Sequence, residues 1–182
     1  MRADGLEHVP ADGGVVIASQ HRSNYDAFVI GLPLHRPLRF MAKAELYRLR
    51  PMAWVLRSGG AFKVERGKSD TAAVDRAIEM LHEGWAVAIY PEGTRGRKGK
   101  PPPRPRSGAA RIALTSGVPM IPVAIRGTDR VRLFPPRLPR FVARFGSPLE
   151  TADLAGLPLR DAARALTNRW EEAIAQLRAE LP

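Results

Sequence analysis

The 182-residue chain contains no cysteine. Disulfides, thiolate zinc sites and a cysteine nucleophile are excluded together, and the composition fits a reducing compartment. The N-terminus, Met1 to Glu7, lacks the apolar run of a secretory signal. No uncharged apolar stretch approaches the ~18 residues needed to cross a bilayer, so the chain reads as free of membrane spans. Nor is there an internal repeat. His8, His35 and His82 show no ligand spacing with one another, and neither metal nor cofactor is expected.

Acid is scarce in one place. From Arg95 to Arg144 there are 13 basic residues and one acid, Asp129, giving +12, so the remainder of a chain with net charge +11 sums to −1. Such a segment seeks phosphate in nucleic acid, in lipid headgroups or in a small substrate. A solvated basic face in an arginine-rich composition is the plainer alternative.

What is present is ordinary for a folded domain: 45% hydrophobic and 26% charged residues, at a length that supports one core. Apolar periods alternate between strand-like and helix-like, which predicts a single α/β domain over 1–182 with a mixed, mostly parallel central sheet flanked by helices. Strands are expected at Gly13–Ser19, Arg39–Ala42, Ala61–Val64, Trp85–Tyr90, Met120–Ile125 and Arg140–Phe145. Helices are expected from a Ser23 or Asn24 cap toward Leu32, over Ala44–Leu56, from a Ser69 cap to Gly84, over Ser107–Ser116, and over 159–181. Arg97 to Arg106, rich in proline and basic residues, predicts an extended, solvated loop of polyproline character.

Two constellations each follow a buried strand, where ligands of sheet proteins gather. In His21-Arg-Ser-Asn-Tyr-Asp26, a histidine in the strand-to-helix loop can meet an aspartate in the first helical turn. The aspartate would orient one ring nitrogen, leaving the other to take a proton from a hydroxyl. Taken alone, the spacing suits equally a helix-terminal charge beside an ordinary loop histidine. In Tyr90-Pro-Glu-Gly-Thr-Arg-Gly96, Gly93 permits close backbone approach to a ligand, and Arg95 offers a planar fork for phosphate. Alone, this too reads as a charged Pro-Gly turn.

Together, and in this order, the two motifs resemble the glycerophospholipid acyltransferase family, whose best-known members are 1-acylglycerol-3-phosphate acyltransferases. Gly60-Ala-Phe-Lys-Val-Glu-Arg66 is similar to its second block and Val118-Pro-Met-Ile-Pro-Val-Ala-Ile125 to its fourth, while Phe40 to Glu45 resembles the stretch between the first two. The likeness covers roughly residues 5–150, with the core blocks within 13–150. It implies that His21 is the general base and Asp26 its orienting partner. It implies that Glu92, Gly93, Thr94 and Arg95 shape the acceptor site, with Arg95, Arg66 and Lys43 as phosphate ligands. It also implies an acyl group drawn from acyl-CoA or acyl-carrier protein, a lysophosphatidate-like acceptor, and peripheral attachment to the anionic inner face of the cell membrane from the cytoplasm. A different lysophospholipid, a glycolipid or glycerol 3-phosphate are alternative acceptors.

Gln20 stands where the family usually has Asn, Glu65 where it often has Asp, and Pro105-Arg-Ser-Gly108 where it commonly has Phe-Lys-x-Gly. Many members carry an N-terminal segment that docks on the bilayer, whereas this chain begins almost at the first catalytic strand. Docking is then expected to fall to the basic segment and to Trp54, Leu133 and Phe134. A catalytically silent membrane-binding relative is a further reading, against which the intact His21 and Asp26 stand. A nucleic-acid module is another. It calls for aromatics interleaved with the arginines, where only Phe134, Phe141 and Phe145 occur, and no nucleic acid is expected.

Overall fold

The computed structural model describes residues 1–43, 47–48, 50, 53–54, 60–64, 70–96, 103–131 and 139–181. Among these residues, seven strands form one sheet: β1 (Arg2–Asp4), β2 (Val15–Ser19), β3 (Leu38–Lys43), β4 (Ala61–Val64), β5 (Ala86–Ile89), β6 (Met120–Arg126) and β7 (Val142–Phe145). Their order is β1-β7-β6-β2-β5-β3-β4. Every neighbouring pair is parallel except β6–β7. This is the mixed, mostly parallel α/β sheet that the alternating periods predict.

β2 sits at the centre, between β5 and β6, with Ile17 opposite Ala88 on one side and Ile121 on the other. All five of its residues are buried, as are the four of β5. Strands covered on both faces need apolar side chains in unbroken runs, which explains Val-Val-Ile-Ala and Ala-Val-Ala-Ile.

Among the described residues, helices α1 (Asp26–Gly31), α2 (Asp70–His82), α3 (Gly108–Ser116) and α4 (Leu159–Ala179) cover the sheet. On one face Val16, Ala18, Val87, Ile89 and Met120 pack with α2, α3 and α4 through Leu81, Ile112, Leu166 and Trp170. On the other, Val15, Ile17, Ile121 and Val123 pack with Val29 and Ile30 of α1. The alternation of β2 between the two clusters is the period-two geometry of a strand.

Helix α4 buries Ala163, Leu166, Trp170 and Ile174, as its spacing predicts, with Leu177 at the margin. Trp170 Nε1 also donates to the Ala18 carbonyl of β2 at 2.9 Å, tying the last helix to the central strand. Gly117 closes α3 with φ 64°, a left-handed cap that glycine adopts without a Cβ penalty.

Three expectations change. The N-cap of α1 is Tyr25, with no side-chain cap, rather than Ser23 or Asn24. The reason is that Asp26 turns back to hold the preceding loop. The short strand β1 has no counterpart among the sequence expectations, because three polar-flanked residues carry no apolar pattern. The last helix ends at Ala179, short of Leu181. The helix expected over Ala44–Leu56, the Ser69 cap and the residues Leu133 and Phe134 fall largely or wholly outside the described residues. Among the described residues, no helix is long and apolar enough to cross a membrane.

Candidate functional site

In this sheet β2, β3, β5 and β6 run the same way, so the loops that follow them emerge at one edge. His21 lies two residues beyond β2, and Tyr90 to Gly96 directly follow β5. Neighbouring strands therefore deliver both motifs to the same place.

His21 and Asp26 meet there. His21 Nδ1 lies 2.9 Å from Asp26 Oδ2. The same oxygen accepts the backbone N–H groups of Arg22 at 2.6 Å and Ser23 at 2.8 Å. Asp26 is fully buried, whereas the His21 side chain keeps 21% of its surface exposed. An ionised carboxylate only accepts, so the ring nitrogen facing it carries the proton and Nε2 keeps its lone pair in the neutral ring. Oδ1 of Asp26 is buried without a hydrogen-bond partner among the described residues. The orientation of the imidazole thus rests on Oδ2, which two backbone donors fix in turn.

The second motif grips the histidine from the other side. Tyr90 stacks on the imidazole, with ring centroids 4.1 Å apart and planes 18° from parallel. Burial pushes the Tyr90 phenol far above its ordinary value, with the Asp26 charge adding to the effect. Tyr90 therefore stays neutral across the physiological range. The Glu92 Oε2 accepts the His21 N–H at 3.1 Å, and Gly96 N–H donates to the His21 carbonyl at 3.0 Å. Both backbone polar groups of His21 are satisfied by one seven-residue stretch. Burial raises the Glu92 carboxyl above the ordinary carboxylate range, opposed by the His21 N–H and by nearby positive charge.

Gly93 makes the turn possible. Its N–H donates to the Tyr90 carbonyl at 2.9 Å and its φ is +64°. A Cβ there would reach only the Arg106 side chain, at 3.8 Å. Glycine is needed here for its left-handed backbone rather than for tight packing. Thr94 and Arg95 are exposed, and Arg95 Nη1 donates to Asn24 Oδ1 at 3.1 Å, a third hydrogen bond between the motifs.

Of the eight residues singled out by sequence, the structure brings six together: His21, Asp26, Glu92, Gly93, Thr94 and Arg95. Lys43 ends β3 at the same edge of the sheet. Arg66 lies outside the described residues. Glu92 is 8% exposed, and its carboxylate is engaged with the His21 backbone.

Two residues at the site were not singled out for a role. In the sequence Tyr90 reads as the end of a strand and the first residue of the second motif, with no role of its own. Gln20, buried, donates through Nε2 to the Ile125 carbonyl at 2.7 Å and anchors the His21 loop to β6. The signal for Gln20 was its departure from Asn, since the longer side chain is what reaches the neighbouring strand.

The basic segment gathers at this edge as well. Arg95, Arg104, Arg106, Arg126, Arg130 and Arg140 are all exposed and lie in, or at the ends of, the connections after β5 and β6. Its single acid, Asp129, pairs at 2.9 Å with Arg22, which lies outside the segment, and so offsets none of the segment's own arginines.

Comparison with known proteins agrees with this geometry. A family model described as acyltransferase matches residues 1–126. The 1-acyl-sn-glycerol-3-phosphate acyltransferase of Bacillus subtilis (strain 168) is 32% identical over 177 residues, 96% of this chain and 86% of the relative. The human 1-acyl-sn-glycerol-3-phosphate acyltransferase beta is 38% identical over 113 residues, covering 59% of this chain and 40% of that protein. A crystal structure of the 1-acyl-sn-glycerophosphate acyltransferase from Thermotoga maritima has the same fold, with a TM-score of 0.74 at 24% identity over 100% of this chain and 73% of that one. The order of the motifs, the sheet that brings them together and these matches agree: the chain belongs to the acyltransferase family.

Proposed function

We propose that this acyltransferase moves a fatty acyl group from acyl-CoA or acyl-carrier protein to the free hydroxyl of 1-acylglycerol-3-phosphate, with His21 as general base. The observation that carries the reading is the fixed His21–Asp26 pair at the carboxyl edge of β2. The relatives that bear this activity in their names supply the acceptor.

In the proposed step, Nε2 of His21 takes the proton of the acceptor hydroxyl as its oxygen attacks the thioester carbonyl. The C–S bond then breaks, and the thiolate leaves with a proton returned from the imidazolium. Asp26 holds the ring in the right tautomer and balances the imidazolium charge while it exists. An acyl thioester is already activated, so no acyl-enzyme is required. Arg95 binds the acceptor phosphate with its planar fork, and Lys43 and Arg66 are further ligands. The arginine-lined edge holds the protein, peripherally, on anionic lipid at the inner face of the membrane. The exposed Trp54 adds an apolar anchor.

The test is thiol release from palmitoyl-CoA with 1-oleoyl-lysophosphatidate in mixed micelles, for wild type and His21→Ala. Acceptor-dependent release that disappears in the variant supports the reading. Near-normal turnover by His21→Ala overturns the mechanism.

A further inference from the structure

Three arginines converge on a groove of about 540 Å³ that the transfer step above leaves unused. Arg104 reaches it from the connection that precedes α3. Arg160 and Arg164 reach it from the first two turns of α4, four residues apart and so on one helical face. Ser107 and Asn168 add neutral polar groups to the lining.

No ion pair engages any of the three among the described residues, although the carboxylates of Asp161 and Glu171 line the same groove. Other arginines nearby behave differently. Arg169, on the same helix, is paired with Asp153 at 2.5 Å, and Arg144 is paired with Asp4 and Glu180. Like charges at this spacing repel, so three guanidinium groups with two carboxylates in the lining, and no ion pair between them, leave a net positive groove that favours the arrival of an anion.

The groove adjoins the catalytic edge. Two residues after Arg104, the Arg106 N–H donates to the Pro91 carbonyl at 2.8 Å, and the Arg106 side chain lies beside Gly93. Two residues span at most about 7 Å of chain. The groove therefore borders the turn whose neighbours hold His21 in place.

We propose that this groove takes the nucleotide phosphates of an acyl-CoA donor, with the pantetheine arm running past Arg106 toward His21. The assignment rests on the acyl-transfer reading above and adds to it the identity of the donor. Guanidinium forks suit phosphate, and the volume falls in the usual range of about 300–1,000 Å³ for small-ligand sites. An acidic carrier protein would meet a flatter and wider surface.

Calorimetric titration with CoA and with 3′-dephospho-CoA tests this on wild type, on the triple variant Arg104→Ala/Arg160→Ala/Arg164→Ala, and on Arg111→Ala as a control for net charge. All three arginines of the triple variant are exposed, and a thermal melt checks that it folds. The triple variant is expected to weaken CoA binding at least about tenfold and to shrink the preference for CoA over dephospho-CoA. It should raise the KM for palmitoyl-CoA while leaving kcat and the acceptor KM in place. Unchanged CoA affinity in the triple variant overturns the proposal, as does an equal loss in Arg111→Ala. A wild type that ignores CoA but accepts acyl groups from carrier protein also overturns it, and leaves the transferase reading intact. CoA binding that depends on the three arginines, in a protein inert toward lysophosphatidate, supports the groove and defeats only the assigned acceptor.

Discussion

The backbone N–H of His21 donates to the carboxylate of Glu92 across 3.1 Å, joining two sequence motifs that lie 71 residues apart. Glu92 thereby acts on the position of His21, the proposed general base. Its removal should lower kcat more than it raises the acceptor KM. Glu92→Ala is expected to reduce kcat about tenfold or more, since small displacements at a reacting centre are costly. Glu92→Gln keeps an acceptor oxygen and should recover most of the loss. Steady-state kinetics with both substrates varied separates the two effects. A rise confined to the acceptor KM would return Glu92 to the acceptor site.

The same carboxyl has a pH signature. Burial raises its pKa in the folded state, so between the ordinary value of about 4.3 and the raised one the folded protein binds more protons than the unfolded chain. Over that window the Glu92 contribution to stability declines as pH rises. Glu92→Gln lacks this titration. Its melting temperature relative to wild type should therefore climb from pH 4 upward and level off above the folded pKa. Differential scanning calorimetry across the range reads it directly, and a flat difference would show that Glu92 is not buried as a charge.

Asp26 should be less forgiving. Its Oδ2 accepts three N–H groups in a fully buried position, and all three bonds weaken when the charge is lost. Asp26→Asn is expected to cut kcat by about 10²–10⁴, the usual range for impairing a general base, and to destabilise the fold by about 1–3 kcal/mol. His21→Ala should show the kinetic loss without the structural one, because that side chain lies at the surface of the cleft. Chemical denaturation beside turnover distinguishes the two. Equal stabilities would argue against the aspartate as the anchor of its loop.

Tyr90 contributes a ring rather than a proton. With its phenol held far above neutrality, Tyr90→Phe should preserve both turnover and the pH–rate profile. Tyr90→Ala removes the surface against which the imidazole lies. It should lower kcat and cost about 2–4 kcal/mol of stability, near the values typical of large aromatic truncations. A shifted pH optimum in Tyr90→Phe would assign the hydroxyl a role in proton transfer.

Arg95 is exposed and, among the described residues, hydrogen-bonds only to Asn24. Arg95→Ala should raise the acceptor KM about tenfold with little effect on the donor, and Arg95→Lys should restore it in part, since lysine keeps the charge and loses the fork. An effect on the donor KM alone would move Arg95 away from the acceptor.

The sheet was legible in sequence because buried parallel strands appear as short, unbroken apolar runs, and β2, β5 and β6 have them. The pair His21 and Asp26 was legible because a loop and a first helical turn are close in space whenever they are close in sequence. The links between the two motifs were not. That Glu92 faces the His21 backbone depends on β2 and β5 being neighbours, which the order of strands along the chain does not reveal. The capping expectation at Ser23 or Asn24 went wrong for a related reason. Asp26 satisfies the loop N–H groups from inside the helix, so no preceding side chain is needed. β1 escaped notice because its pairing with β7, rather than its own composition, makes it a strand.

That pairing bears on how the chain comes into being. Among the described residues, β1 comes first of the seven strands in chain order and pairs with β7, which comes last. The carbonyl of Ala18, just before the catalytic loop, likewise receives its partner from Trp170, 152 residues later. Contacts so distant in sequence form slowly, and here they cannot form at all until β7 and the α4 helix have been synthesised. The nascent chain thus carries His21, Asp26 and Glu92 well before the sheet and helix that hold them in register have closed around them.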